Sequence, residues 1–130
     1  MSKVPVIAIV DDDTSVRAAT TCLMRSLGYV AYGFASAEEF LNSPHLPDTS
    51  CLITDVQMPG MGGIELQRCL IEQGRDIPVI LISAFPSERL KAIRALGPDA
   101  VCFLSKPFAT ENLLDCLRTA LRGMSENKVE

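Results

Sequence analysis

The sequence has no tryptophan, only 5% aromatic residues and a single histidine. One histidine excludes a multi-histidine metal site, and His45, between Pro44 and Pro47, is expected to be a solvent-exposed loop residue. No apolar run is long enough to cross a bilayer, and the opening Met-Ser-Lys-Val-Pro passes straight into a strand-like run, so neither a membrane span nor a signal peptide is expected. There is no excess of positive charge. The formal net charge is −4, so this chain alone is not expected to bind nucleic acid. The cysteines, Cys22, Cys51, Cys69, Cys102 and Cys116, are odd in number and include no Cys-x-x-Cys pair. Most sit in apolar periodic segments, which points to buried thiols in a reducing cytoplasm rather than disulfides or zinc ligands. Both Gly-x-x-x-x-Gly-Lys and Gly-x-Gly-x-x-Gly are missing, so there is no nucleotide cradle.

What is present is an ordinary globular composition, 48% hydrophobic and 22% charged over 130 residues, enough for one domain with a real core. Residues 4 to 10 are a continuous apolar, β-branched run, read as a strand buried on both faces. Asp11-Asp12-Asp13 closes it, and Asp13 or Thr14 is placed to cap a helix carrying Val16, Ala19, Thr20, Leu23 and Leu27, which Gly28 stops. Residues 29 to 34 form a more polar strand suited to a sheet edge. Ser36 and Glu39 make a capping box for a short helix through Leu41. A third strand, 51 to 54, precedes a loop that Pro59 stiffens and Gly60, Gly62 and Gly63 make pliable, and the following helix ends at Gly74. Residues 77 to 82 are another wholly apolar strand. Ser87 is expected to cap a helix with Leu90, Ile93 and Leu96 on its apolar face, ended by Gly97-Pro98-Asp99. A fifth strand spans 100 to 104. Thr110 caps a last helix with the stripe Leu113, Leu114, Leu117, Ala120 and Leu121, and from Gly123 the chain turns polar. Five strand–helix repeats predict an α/β fold: a flavodoxin-like doubly wound five-stranded parallel sheet, order 2-1-3-4-5, with helices on both faces. Residues 1–122 make the domain, and 123–130 are a tail or the start of a linker.

Chemistry gathers at the C-terminal ends of the strands, where open α/β sheets bind ligands. Strand one ends in Asp11 and Asp12, strand three in Asp55, strand four in Ser83, and strand five is closed by Lys106. Singly, each has a plain explanation: Asp55 as a turn cap, the acid run as helix N-terminal charge, Lys106-Pro107 as a surface turn. Together, three converging carboxylates repel one another unless some are protonated or a cation sits among them. All-oxygen ligands favour a hard ion such as Mg²⁺, and the backbone carbonyl of Gln57 is well placed to contribute. A cation, a Lys point charge and a hydroxyl suit a phosphoryl group. With no nucleotide cradle, the chemistry left is attack by Asp55 on a phosphorus presented by another molecule, giving an acyl phosphate.

Four segments together, Ile9-Val10-Asp11-Asp12-Asp13, Thr54-Asp55-Val56-Gln57-Met58-Pro59-Gly60-Met61-Gly62-Gly63, Ile82-Ser83-Ala84 and Ser105-Lys106-Pro107-Phe108, resemble the receiver domain of bacterial two-component response regulators over residues 6 to 121. The wording of 58–63 and 106–108 is nearest to the nitrogen-fixation regulator subfamily. The resemblance implies Asp55 as phosphoacceptor, Asp12, Asp55 and the Gln57 carbonyl as direct Mg²⁺ ligands with Asp11 acting through water, Ser83 as the switch hydroxyl, Phe103 as the switch aromatic, and a cis bond before Pro107. It implies a sensor histidine kinase as partner, a cytoplasmic location, and a homodimer through the helix 4–strand 5–helix 5 face on phosphorylation. Subfamily members carry a C-terminal helix-turn-helix. Two alternatives stay open: such a domain follows Glu130 and supplies the DNA contact, or the chain is a stand-alone receiver. Phe85-Pro86 departs from the small, flexible stretch usual after the switch hydroxyl, and Phe85 is expected to shield the acyl phosphate from water. Two other readings stay open. One is a Mg²⁺-dependent hydrolase with an Asp nucleophile, which wants a second acid where Gln57 stands. The other is a degenerate receiver acting only as an interaction module.

Overall fold

The apolar runs form the strands of one parallel sheet, and helices cover both faces. The computed structural model describes residues 4–97 and 102–129, with side chains described to residue 122. In chain order the elements are β1 (Val6–Val10), α1 (Thr14–Ser26), β2 (Val30–Phe34), α2 (Ala37–Leu41), a 3-10 turn (Leu46–Asp48), β3 (Cys51–Asp55), α3 (Gly63–Glu72), β4 (Val79–Ser83), α4 (Ser87–Leu96), β5 (Cys102–Ser105) and α5 (Thr110–Val129). The strand order is β2-β1-β3-β4-β5, all parallel, as the repeat pattern predicted.

Strand side chains alternate between faces, so each central strand feeds two cores. Ala8, Val10, Leu52, Val79 and Leu81 pack with Phe40 of α2, Leu66 and Leu70 of α3 and Ala92 of α4. Ile7, Ile9, Ile53, Ile80 and Ile82 pack with Met24 of α1 and Leu113 and Leu117 of α5. Burial of that many aliphatic side chains, each contributing about 1.5–3 kcal/mol, outweighs any local preference of the segments.

Local signals were resolved by geometry. Asp13, not Thr14, caps α1, accepting from the backbone N–H of Ser15 at 2.9 Å and Val16 at 3.1 Å. Ser36 accepts from Glu39 N–H at 3.1 Å as the capping box required, but the Glu39 carboxylate reaches back to Ala35 N–H at 3.2 Å instead of to Ser36. Gly28, Gly74 and Gly97 follow their helices with φ of 95°, 74° and 86°, the left-handed conformation that glycine tolerates.

Several expectations are corrected. Ser87 does not cap α4. Pro86, already helical with φ −57° and ψ −27°, occupies the cap and leaves Ser87 as the first helical residue. Thr110 is likewise inside α5, whose first bonds go to the Ala109 carbonyl. The buried face of α4 carries Glu88 and Ala92, while Leu90 is 58% exposed. His45 is half-buried, its ring stacked on Tyr32 with centroids 3.7 Å apart. Cys22 is exposed, although Cys51 is buried and its thiol pushed up to about 12, chiefly by burial. The backbone of α5 is helical through Val129, a conformation compatible with a tail or the start of a linker from Gly123. Pro98, Asp99, Ala100 and Val101, expected to end α4 and begin the fifth strand, lie outside the described residues. Among the described residues, no helix is long and apolar enough to cross a membrane.

Candidate functional site

Register brings the acids together. Val10 of β1 lies opposite Thr54 of β3, so the next residues, Asp11 and Asp55, emerge side by side at the C-terminal edge of the sheet. Asp11, Asp12 and Asp55 each place a carboxylate oxygen within 4.8 Å of the others. Asp13, of the same acidic run, is withdrawn by its capping bonds. Lys106, just beyond β5, reaches back over the sheet edge. Its Nζ donates to Asp55 Oδ2 at 3.1 Å and lies 4.0 Å from Asp11 Oδ2. Its backbone N–H is pinned to the Ser83 carbonyl at 2.8 Å, and the Lys106–Pro107 bond is cis, as expected.

Asp11 is only 5% exposed. Burial pushes its carboxyl above the ordinary carboxylate range. The hydrogen bond from Asp13 N–H pulls the other way, Asp55 raises it, Lys106 lowers it, and Asp12 raises it again. Counted as ionised, three carboxylates against one ammonium leave a surplus of two negative charges, which matches a divalent cation. The donors are all oxygen, two of the acids are at least partly buried, and the third, Asp12, is exposed and open to solvent, so the residues fit Mg²⁺ with water retained.

The loop after Asp55 is tight rather than pliable. Asp55 Oδ1 accepts from Gln57 N–H at 3.2 Å, an Asx turn. A Cβ on Gly62 would stand 2.5 Å from the Val56 carbonyl oxygen, and one on Gly63 2.5 Å from that of Asp55. These two glycines are there because backbone passes against backbone. Gly60, with φ 76°, is the residue of the loop that needs the left-handed conformation.

Ser83 lies at the expected strand end but is 1% exposed, and its Oγ accepts from Phe85 N–H at 3.0 Å. Phe103 is half-buried and packs on the core that α2, α3 and α4 share. Gln57 is adjacent to Asp55 through its backbone N–H, and its side-chain Nε2 donates to Glu88 Oε1 at 2.9 Å. Sequence reasoning missed two participants. Arg17, one turn into α1, donates to the Asp11 carbonyl at 2.7 Å and so anchors the acidic loop. Glu88 was hidden because a charged residue in the first turn of a helix reads as solvated, and nothing local couples it to Gln57, 31 residues away.

The chain matches the response regulator receiver domain model over residues 7–118. It is 43% identical over 123 residues to the response regulator protein TmoT of Ectopseudomonas mendocina, covering 95% of this chain and 56% of that one. Among solved structures, the response regulator StyR superposes with a TM-score of 0.84 at 36% identity, covering 97% of this chain and 63% of that chain. FixJ-N superposes with a TM-score of 0.79 at 30% identity, covering 93% and 96%. The chain spans about half the length of the curated relatives it matches.

Proposed function

The chain belongs to the response regulator receiver domain family, and we propose that it works as a phosphorylation-operated switch in which Asp55 accepts a phosphoryl group from a sensor histidine kinase. The observation that carries this reading is the Asp55 carboxylate itself. One oxygen is held by Lys106 at 3.1 Å, the other by Gln57 N–H at 3.2 Å, and the acids Asp11 and Asp12 stand beside it. Asp12, Asp55 and the Gln57 carbonyl would hold Mg²⁺ directly, and Asp11 would hold it through water. Bound there, the ion neutralises charge on the transferring phosphoryl oxygens.

An Asp55 oxygen attacks the phosphorus of the kinase phosphohistidine. The new O–P bond forms as the N–P bond breaks, and the imidazole nitrogen leaves with the bonding pair and takes up a proton. Lys106 follows the charge from the carboxylate to the phosphoryl oxygens. To donate to the phosphoryl group, the Ser83 hydroxyl must turn its proton away from the Phe85 carbonyl, to which it donates at 3.4 Å. Phe103 then takes up the space, and the α4–β5–α5 face changes shape, a population shift biased by one local charge. That face is where a second copy would pair. Water later attacks the acyl phosphate, returning carboxylate and inorganic phosphate, so the chain is a signalling element rather than a turnover enzyme. On this reading the chain acts in the cytoplasm and controls a transcription output or a partner.

The test is labelling by radioactive acetyl phosphate with Mg²⁺. Wild type takes up one acid-stable, base-labile phosphoryl group per chain and Asp55→Asn takes up none. Equal labelling of the two would show that the phosphoacceptor is elsewhere.

A further inference from the structure

Asp11 and Glu88 are the two buried acids among the described residues, and only Asp11 belongs to the acidic corner. Glu88, in the first turn of α4 and 6% exposed, places Oε1 2.9 Å from Gln57 Nε2. Lys91, itself exposed, lies 3.6 Å from the same oxygen. Burying a carboxylate is unfavourable unless it is paired, so this position has been given to a hydrogen bond rather than to packing. The negative end is further favoured by the α4 N-terminus. Because the Gln57 backbone N–H also holds Asp55 Oδ1, an unbroken hydrogen-bonded path runs from Asp55 through Gln57 to α4. Gln57 and Glu88 both line a groove of about 710 Å³ between the Asp55 loop, α3 and α4, so the bond sits where solvent and partners can reach its surroundings.

We propose that Glu88 is a positioning residue that holds the Gln57 carboxamide against α4 and away from the front of Asp55, and so sets the lifetime of the acyl phosphate. The proposal rests on Asp55 being the phosphoacceptor. A carboxamide offers both donors and an acceptor. Freed beside the phosphoryl group, it can orient a water for attack on the phosphorus. Held at 2.9 Å by the Glu88 side-chain oxygen, it cannot. The same path runs in reverse: anything that draws α4 away from the loop frees Gln57, so occupancy of α4 and the lifetime of the phosphoryl group are linked.

The test uses the chain labelled by radioactive acetyl phosphate with Mg²⁺, the donor removed, and the loss of acyl phosphate followed in time. Glu88→Ala decays on the order of ten-fold faster than wild type. Glu88→Gln, whose side-chain carbonyl still accepts from Gln57 Nε2, decays within about two-fold of wild type. In a Gln57→Leu background, Glu88→Ala adds nothing, because no carboxamide is left to release. Should Glu88→Ala fail to fold in a thermal melt, Gln57→Asn breaks the same bond from the other side and decays faster than wild type. A wild-type decay rate for the variant that breaks the bond overturns the proposal. So does an equal acceleration with and without the Gln57 carboxamide. If wild type does not label, or Asp55→Asn does, the phosphoacceptor reading fails instead; normal labelling with unchanged lifetimes sinks only the role of Glu88.

Discussion

Gly63→Ala separates close backbone approach from conformational freedom as the reason for the glycines after Asp55. The new Cβ would stand 2.5 Å from the Asp55 carbonyl oxygen and 3.2 Å from Leu81 Cδ2. Carbon–oxygen contacts settle at about 3.3 Å or more, so something must move by about 0.8 Å. Leu81 is fully buried in a close-packed core and cannot yield. The Asp55 backbone therefore moves, and its carboxylate with it. Overpacking of this kind costs about 1–3 kcal/mol. A displacement of about 1 Å at a reacting group costs on the order of 100-fold in rate. Gly74→Ala is the matched control. Its φ of 74° strains an alanine, yet nothing lies within 4 Å, and it stands at the far end of α3. It should lose about 1–2 kcal/mol from backbone strain alone. Urea unfolding followed by circular dichroism, with the initial rate of acyl-phosphate formation, distinguishes them. Both variants lose stability, and only Gly63→Ala loses labelling. Wild-type labelling by Gly63→Ala would refute the steric argument, and equal loss by Gly74→Ala would reduce the effect to general destabilisation.

Three further outcomes are expected. Folding raises the Asp11 carboxyl above its ordinary value, so the folded state favours the protonated form and the ionised group works against folding. In chelator-treated protein Asp11→Asn therefore melts higher than wild type near neutral pH, and the gap narrows as pH falls through the raised value toward the ordinary carboxylate range; a gap independent of pH would contradict this. Mg²⁺ at about 100 times its dissociation constant should raise unfolding free energy by about 2.7 kcal/mol, and Asp12→Asn should lose most of that gain, both read from thermal melts. Phe85, 52% exposed beside the Ser83 turn, should slow water's approach to the acyl phosphate, so Phe85→Ala should lose its label several-fold faster; an unchanged decay rate removes Phe85 from that role.

Much of the fold was legible because its signals are local. The wholly apolar runs of β1, β3 and β4 announce strands buried on both faces. Asp13, Ser36, Gly28 and Gly74 mark helix ends within a few residues of the groups they satisfy. The expectation failed where neighbours in sequence were not the deciding neighbours. Ser87 looked like a cap, but Pro86 had already entered the helical conformation. Leu90 looked like core, but α4 turns Ala92 into the core and Glu88 toward Gln57.

The sequence by itself determined which residues can act: acids after strands one and three, a hydroxyl after strand four, a lysine after strand five, and the alternation that carries them to one edge. Only the tertiary structure decided how they are used. Sheet register set Asp11 beside Asp55, the reach of Lys106 over the edge chose which oxygen it holds, and the approach of α4 to the loop made a pair of Gln57 and Glu88. The division follows range. Strand, cap and turn preferences act over a few residues and can be read in order, whereas contacts across 31 or 51 residues exist only after loops close and two cores pack.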